Sequence, residues 1–255
     1  MPRIGSWVAR AGGLCGLTLF VGLATGARAD GPSNPLALPT TGLTIDAGGA
    51  VRLRPTHLGA DIYTADFVPY VDGQWGKDFH FSIDDGVQYN ALRAGRFTCG
   101  PDLEYRQPYT DKLAPRVRRT ANAVEAGGFA KVDLTYAELD MRVRKALNGY
   151  GGYSGDISLD TAAPIAPKWS VGLEARFGWA DRRFAALQFG QSANLVGDYF
   201  SIGAQAALVY QWKPRTRITV SVSDDQILRP SRPISGATTR NAATVLFAMT
   251  HRFSW

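Results

Sequence analysis

Val245-Leu246-Phe247-Ala248-Met249-Thr250-His251-Arg252-Phe253-Ser254-Trp255 closes the chain, and its reading decides the fold. Val245, Phe247, Met249, Phe253 and Trp255 share one face, interrupted only by His251. Leu246, Ala248, Thr250, Arg252 and Ser254 share the other. A period of two means a β-strand whose faces meet different surroundings. The strand runs out to an aromatic last residue. On a soluble domain that end would be an exposed edge and an aggregation hazard.

The same alternation recurs upstream. Val171, Leu173, Ala175, Phe177 and Trp179 oppose Gly172, Glu174, Arg176 and Gly178, and Phe200 to Trp212 alternates throughout. Ile218, Val220 and Val222 oppose Arg217, Thr219, Ser221 and Ser223. Shorter runs follow the rule around Val132, Met141 and Ile45, whereas Tyr63 to Val71 is broken by Pro69 and the stretch from Phe79 to Tyr105 is faint. A soluble β-sandwich also alternates. Here, however, the apolar faces end in aromatics (Tyr136, Trp179, Tyr210, Trp212) and the opposite faces carry Arg, Glu, Asp and Lys. Interfacial girdles outside and a hydrated lumen inside produce that pattern. The expected fold is all-β: a transmembrane antiparallel up-and-down β-barrel.

The N-terminus is consistent with export. Arg3 and Arg10 precede an apolar run from Leu14 to Ala24, and Ala27-Arg28-Ala29 supplies an A-x-A cleavage site. The run is about half the ~20 residues of a spanning helix. Residues 1–29 are therefore expected to be a cleaved signal peptide, residues 30–42 a periplasmic lead-in and residues 43–255 the barrel. Removal of Arg3, Arg10 and Arg28 brings the formal charge of +6 closer to neutral, and nothing points to nucleic acid. Of two cysteines only Cys99 would remain, so neither an intramolecular disulfide nor a cysteine-based metal cage is expected.

Connections set the count and the orientation. Lys213-Pro214-Arg215, Ala163 to Lys168 and the junction near Ala137 read as tight turns. Gln107 to Asn122, Asn148 to Tyr153, Ala180 to Asp198 and Leu228 to Asn241 are longer. Short turns belong at the periplasmic end and long loops outside, and the rhythm gives about 12 strands, or ten if Lys77 to Ala94 holds one hairpin or less.

Four patches resemble the MipA/OmpV family of outer-membrane proteins. They are Pro55-Thr56-His57-Leu58-Gly59-Ala60-Asp61-Ile62-Tyr63, Val124-Glu125-Ala126-Gly127-Gly128-Phe129, Asn148-Gly149-Tyr150-Gly151-Gly152-Tyr153-Ser154-Gly155-Asp156, and Gly178-Trp179-Ala180-Asp181 with Phe189-Gly190. The ending, Phe253-Ser254-Trp255, resembles the closing strand that the barrel-assembly machinery reads. The resemblance implies an outer-membrane location and contact with lipid and lipopolysaccharide. It also implies a scaffold or adaptor tying a murein hydrolase to a murein synthase. A small passive channel and a surface antigen or adhesin are the alternatives.

Candidate chemistry is sparse. An outer-wall esterase needs a His beside a Ser, oriented by an acid or amide. His251 lies on the lipid-facing side with Met249 and Phe253 as neighbours, so an interfacial histidine is the simpler reading, and His57 reads as a loop residue. HExxH, P-loop and CxxC patterns are absent. No enzyme activity and no cofactor is expected. Asp46, Arg52, Arg54, Glu125, Lys131, Asp133, Asp140, Arg142, Arg144, Glu174, Arg176 and Arg217 should point inward. They would either tune a conducting lumen or pair with one another across a narrow one, and the mixture of signs favours pairing. Lys112, Arg116, Arg118 and Arg119, with Arg229 and Arg232, form basic loops that could grip lipopolysaccharide phosphates or simply be solvated.

Overall fold

The computed structural model describes residues 42–255 except 57–58, 84, 107–122, 189–197 and 230–238. Its strands are β1 (Leu43–Pro55), β2 (Tyr63–Trp75), β3 (Phe79–Ser82), β4 (Gly86–Tyr89), β5 (Leu92–Ala94), β6 (Phe97–Arg106) and β7 (Ala123–Asp133). There follow β8 (Glu138–Ala146), β9 (Tyr153–Ala166), β10 (Trp169–Ala180), the helix α1 (Arg182–Gln188), β11 (Tyr199–Lys213), β12 (Thr216–Arg229) and β13 (Asn241–Ser254). Ladder neighbours are antiparallel, and β1 meets β13 from Thr44 opposite Ser254 to Leu53 opposite Val245. The last strand thus seals the barrel. Trp255 N–H also donates to Leu43 O at 3.0 Å, so both ends of the described chain lie at the short-turn end.

The circle is completed where Val87 and Gln88 face Leu103 and Asp102. Leu92 then faces Cys99, so Tyr89, Asn90 and Ala91 oppose only Gly100 and Pro101. That is one residue too many on one side, a β-bulge. The Asp133 N–H to Arg96 O bond sets an alternation in which even residues of β6 bond to β7, so the missing N–H of Pro101 faces the bulge. β4 and β5 are therefore two halves of one wall strand. The barrel is a closed, antiparallel barrel of twelve strands, as the rhythm of turns and loops implies.

The stretch that was faint in sequence is a dwarf hairpin: β3 and β4 have four residues each, against 13 in β1 and β2. β3 meets β2 only from Asp72 to Trp75. Above the hairpin tip, no described strand makes a ladder with Ala65 to Pro69 on that side. Thr56 N–H donates to Ile62 O and Gly76 N–H to Gly42 O, so the odd residues of β2 turn their N–H away from β1. Pro69 thus stands where its missing N–H costs nothing. The proline does not end the strand; it marks an open edge.

Outward positions carry Leu173, Ile202, Val222 and Phe247, all exposed. Aromatic pairs gird the short-turn end: Trp169 with Tyr210 at 4.6 Å, Phe79 with Tyr89 at 4.8 Å and Phe253 with Trp255 at 6.1 Å. Rings at that level suit a membrane–water boundary. No helix among the described residues is long and apolar enough to cross a membrane; the strands do the crossing.

Candidate functional site

Inside the barrel the polar face of each strand meets the others, and glycines decide who meets whom. Asp102 of β6, Gly127 of β7 and Arg144 of β8 are in register. Because Gly127 has no side chain, Arg144 reaches over β7 and donates from Nε to the carboxylate of Asp102. The same guanidinium lies 2.7 Å from Glu104 and 3.4 Å from Asp156. The design repeats four strands further round the ring. Arg176 of β10, Gly203 of β11 and Asp225 of β12 are in register, and Arg176 Nη2 holds both carboxylate oxygens of Asp225 at 2.9 and 3.0 Å.

Other cations close the gaps. Arg142 donates to Asp85 at the tip of the dwarf hairpin (2.8 Å) and to Asp140 (2.8 Å). Asp46 of β1 accepts from Arg252 of β13 at 2.7 Å and from Arg217 of β12, tying the seam to its neighbours. Charges removed from water need such partners.

Glu125 is the hub at the long-loop end. It is fully buried and accepts from Arg106 (2.6 and 3.2 Å), Tyr150 Oη (2.8 Å) and Ser154 Oγ (2.9 Å). Burial lifts the Tyr150 phenol above the ordinary range, so it stays protonated and donates. Over this hub sits α1. Asp181 caps it, accepting N–H of Arg183 at 3.0 Å and of Phe184 at 3.2 Å, while its other oxygen holds Tyr153 N–H at 3.0 Å. Phe184 and Ala185 pack with Ala180, Tyr199 and Ile227, and Arg106 stacks 5.3 Å over the Phe184 ring. A small apolar core thus fills part of the mouth.

Of the residues expected inside, Asp46, Glu125, Asp140 and Arg144 are buried, and Arg52, Arg54, Lys131, Arg142, Glu174, Arg176 and Arg217 are half-buried. Asp133 differs: it is exposed at the rim and its Oδ1 accepts Thr135 N–H at 2.8 Å, holding a turn in which Thr135 has φ 77°. Arg252, on the polar face of the closing strand, joins the network, as do Asp102, Glu104, Arg106, Asp156 and Asp225, which alternation alone does not single out. Their signal was present in the facing registers, which sequence does not state. His80 lies 3.4 Å from Asp72, and His251 Nδ1 lies 3.2 Å from Thr216 Oγ1, a cross-strand partner that was not assignable from sequence. His57, Lys112, Arg116, Arg118, Arg119 and Arg232 lie outside the described residues, and Arg229 ends β12.

A sequence model of the family described as MltA-interacting protein MipA matches residues 47–253. The chain belongs to the MipA family. The match spans the barrel from β1 to β13 and takes in all four patches. Glu125 and Gly127, Tyr150, Ser154 and Asp156, and Asp181 come from three of the four patches, and all meet in the network. No curated protein sequence matches the chain. Among solved structures it is similar to OmpT of Vibrio cholerae (9% identity, 83% of this chain and 98% of that one, TM-score 0.41). It is also similar to an outer-membrane channel of Pseudomonas putida F1 (13%, 85% and 97%, 0.40) and an anion-selective porin of Comamonas acidovorans (12%, 83% and 98%, 0.38). This MipA-family chain is an outer-membrane β-barrel.

Proposed function

We propose that this barrel is a non-enzymatic scaffold of the cell envelope that holds murein machinery, a hydrolase with its synthase partner, against the outer membrane. The observation that carries the reading is the cross-bracing of the lumen. Arg144, Arg142, Arg176 and Arg217 each span to a carboxylate on a non-adjacent element, which suits a rigid post better than a wide conduit. The family's description as an interacting protein supports it. The short turns offer a docking face, for Lys77, Arg96, Lys168 and Arg215 are exposed there.

The test is a photo-cross-linking amino acid at Lys77 or Lys168 in cells. Capture of a murein hydrolase or synthase, lost when the probe moves to the lipid-facing Leu173, is the expected result. Equal capture from both positions, or none from the turns, rejects the reading.

A second reading, a small passive channel, rests on the stretch of β11 and β12 next to the Arg176 brace. There Gln205, Ala207, Ser221 and Ser223 are short or uncharged and only half-buried, leaving room beside the braces. Reproducible conductance steps from the refolded barrel in a planar bilayer would bring this reading forward; a folded but silent barrel would leave the scaffold ahead.

A further inference from the structure

The outer wall carries a groove of about 500 Å³ along the β1–β13 seam. Its origin is local. On its lipid-facing side β1 offers the small Ala47 and Gly49 below Val51, whereas β2 offers Phe67 and β13 offers Phe247 and Met249. The wall is therefore recessed by the depth of a large side chain. Phe67 leans over Gly49 so closely that a Cβ there would lie 2.8 Å from its ring. From Ala47 to Val51 the groove runs about 13 Å along the strand, at ~3.3 Å per residue.

Its two ends differ. The upper part is apolar. The lower end, beside the Pro214–Arg215 turn, carries His251, whose Nδ1 is engaged by Thr216 Oγ1 at 3.2 Å. That leaves Nε2 as the ring nitrogen able to meet a ligand. Arg215 is exposed one residue away, with its carbonyl accepting Arg252 N–H at 2.7 Å, so it stands at the level of His251. This end of the barrel is the short-turn end, which faces the inner leaflet of the membrane.

We propose that the groove is a binding site for one phospholipid of that leaflet. An acyl chain lies over Ala47, between Met249 and the Phe67 ring that covers Gly49, and the phosphodiester sits at the rim on His251 Nε2 and the Arg215 guanidinium. An apolar slot continuous with the hydrocarbon of the bilayer, ending in a hydrogen-bond donor with a cation in the adjoining turn, matches the two halves of that molecule. Thr216 acts here as a positioning residue: it fixes the imidazole and leaves the outer nitrogen for the phosphate.

The test is native mass spectrometry of the barrel extracted in mild non-ionic detergent and titrated with phosphatidylglycerol, with heat-modifiable gel mobility as the check of folding. Wild type should retain one lipid. Ala47→Leu, which fills the floor, should abolish retention. His251→Ala and Thr216→Val, which leave every ladder bond in place, should each weaken it about tenfold, the size of one lost charge-assisted hydrogen bond. Retention unchanged in Ala47→Leu, or in both rim variants if Ala47→Leu does not fold, overturns the proposal. A barrel that elutes as a dimer and is split by Ala47→Leu also overturns it, by giving the groove to a second copy.

Discussion

Arg144 and Asp102 are joined across a strand that belongs to neither of them, and Gly127 is the reason they can meet. Their side chains are 3% and 0% exposed, so neither can fall back on water. Removing one member strands the other, a loss of about 3–5 kcal/mol for buried pairs. Arg144→Met should therefore lower the unfolding free energy by about that amount, read as the urea midpoint of the heat-modifiable gel band. Pairing it with Asp102→Leu should recover part of the loss, because Asp102 is no longer orphaned while Glu104 and Asp156 keep only their longer contacts to Arg106 (3.7 Å) and Arg142 (4.0 Å).

Gly203 separates Arg176 from Asp225 in the same way. A Cβ there would lie 2.0 Å from Asp225 Oδ1, so Gly203→Ala must push the carboxylate off its bidentate partner. The expected cost is about 1–3 kcal/mol, the usual toll of overpacking. Gly172→Ala is the control: its added carbon has nothing nearer than 3.9 Å, and its urea midpoint should stay close to wild type.

Glu125→Gln keeps the shape of the hub but gives Arg106 a neutral amide in place of a carboxylate. A hydrogen bond to a charged group contributes about 1.5–3 kcal/mol, and part of it should disappear. Since Phe184 lies under Arg106, the loss should loosen α1. Limited trypsin digestion of the folded barrel should then cut faster at the exposed Arg182 and Arg183 than in wild type.

Glu138, Asp160 and Glu174 are in register on β8, β9 and β10 and all face inward. Lys131 stands 3.7 Å from Glu138 and Arg176 3.0 Å from Glu174. Asp160 receives a hydroxyl instead, from Ser158 at 2.7 Å. Any current through the barrel should accordingly be carried by cations. The reversal potential in a salt gradient checks this, and Asp160→Asn should shift it toward zero.

The sequence was legible wherever the two faces of a strand meet different solvents. In β10, β11, β12 and β13 apolar and polar residues alternate over most of each strand, His251 being the exception in β13 and Asp224 and Gln226 in β12, so the barrel and its closing strand could be read directly. The dwarf hairpin was not legible, because four residues are too few to display a period. Pro69 looked like an interruption, when it marks a strand open on one side. Gly127 and Gly203 read as blanks in the alternation, yet they choose the partners of Arg144 and Arg176. Which residues stand opposite one another is a property of register, and register is decided by closure of the whole ring rather than by any local run. The same limit hid Thr216 from His251.

The dwarf hairpin also bears on how such a wall can change in size. Ten described strands run past its tip, and two more fill the ring below it, as a gusset fills a sleeve. A hairpin enters or leaves as a unit, so the strand number stays even and neither terminus changes sides. Above Ser82 and Gly86 the edges of β2 and β6 are the two that a ten-stranded relative would have to join. A molecule of this plan can therefore widen or narrow by one hairpin while the Asp46 clasp at the β1–β13 seam, on the other flank of β2, stays as it is.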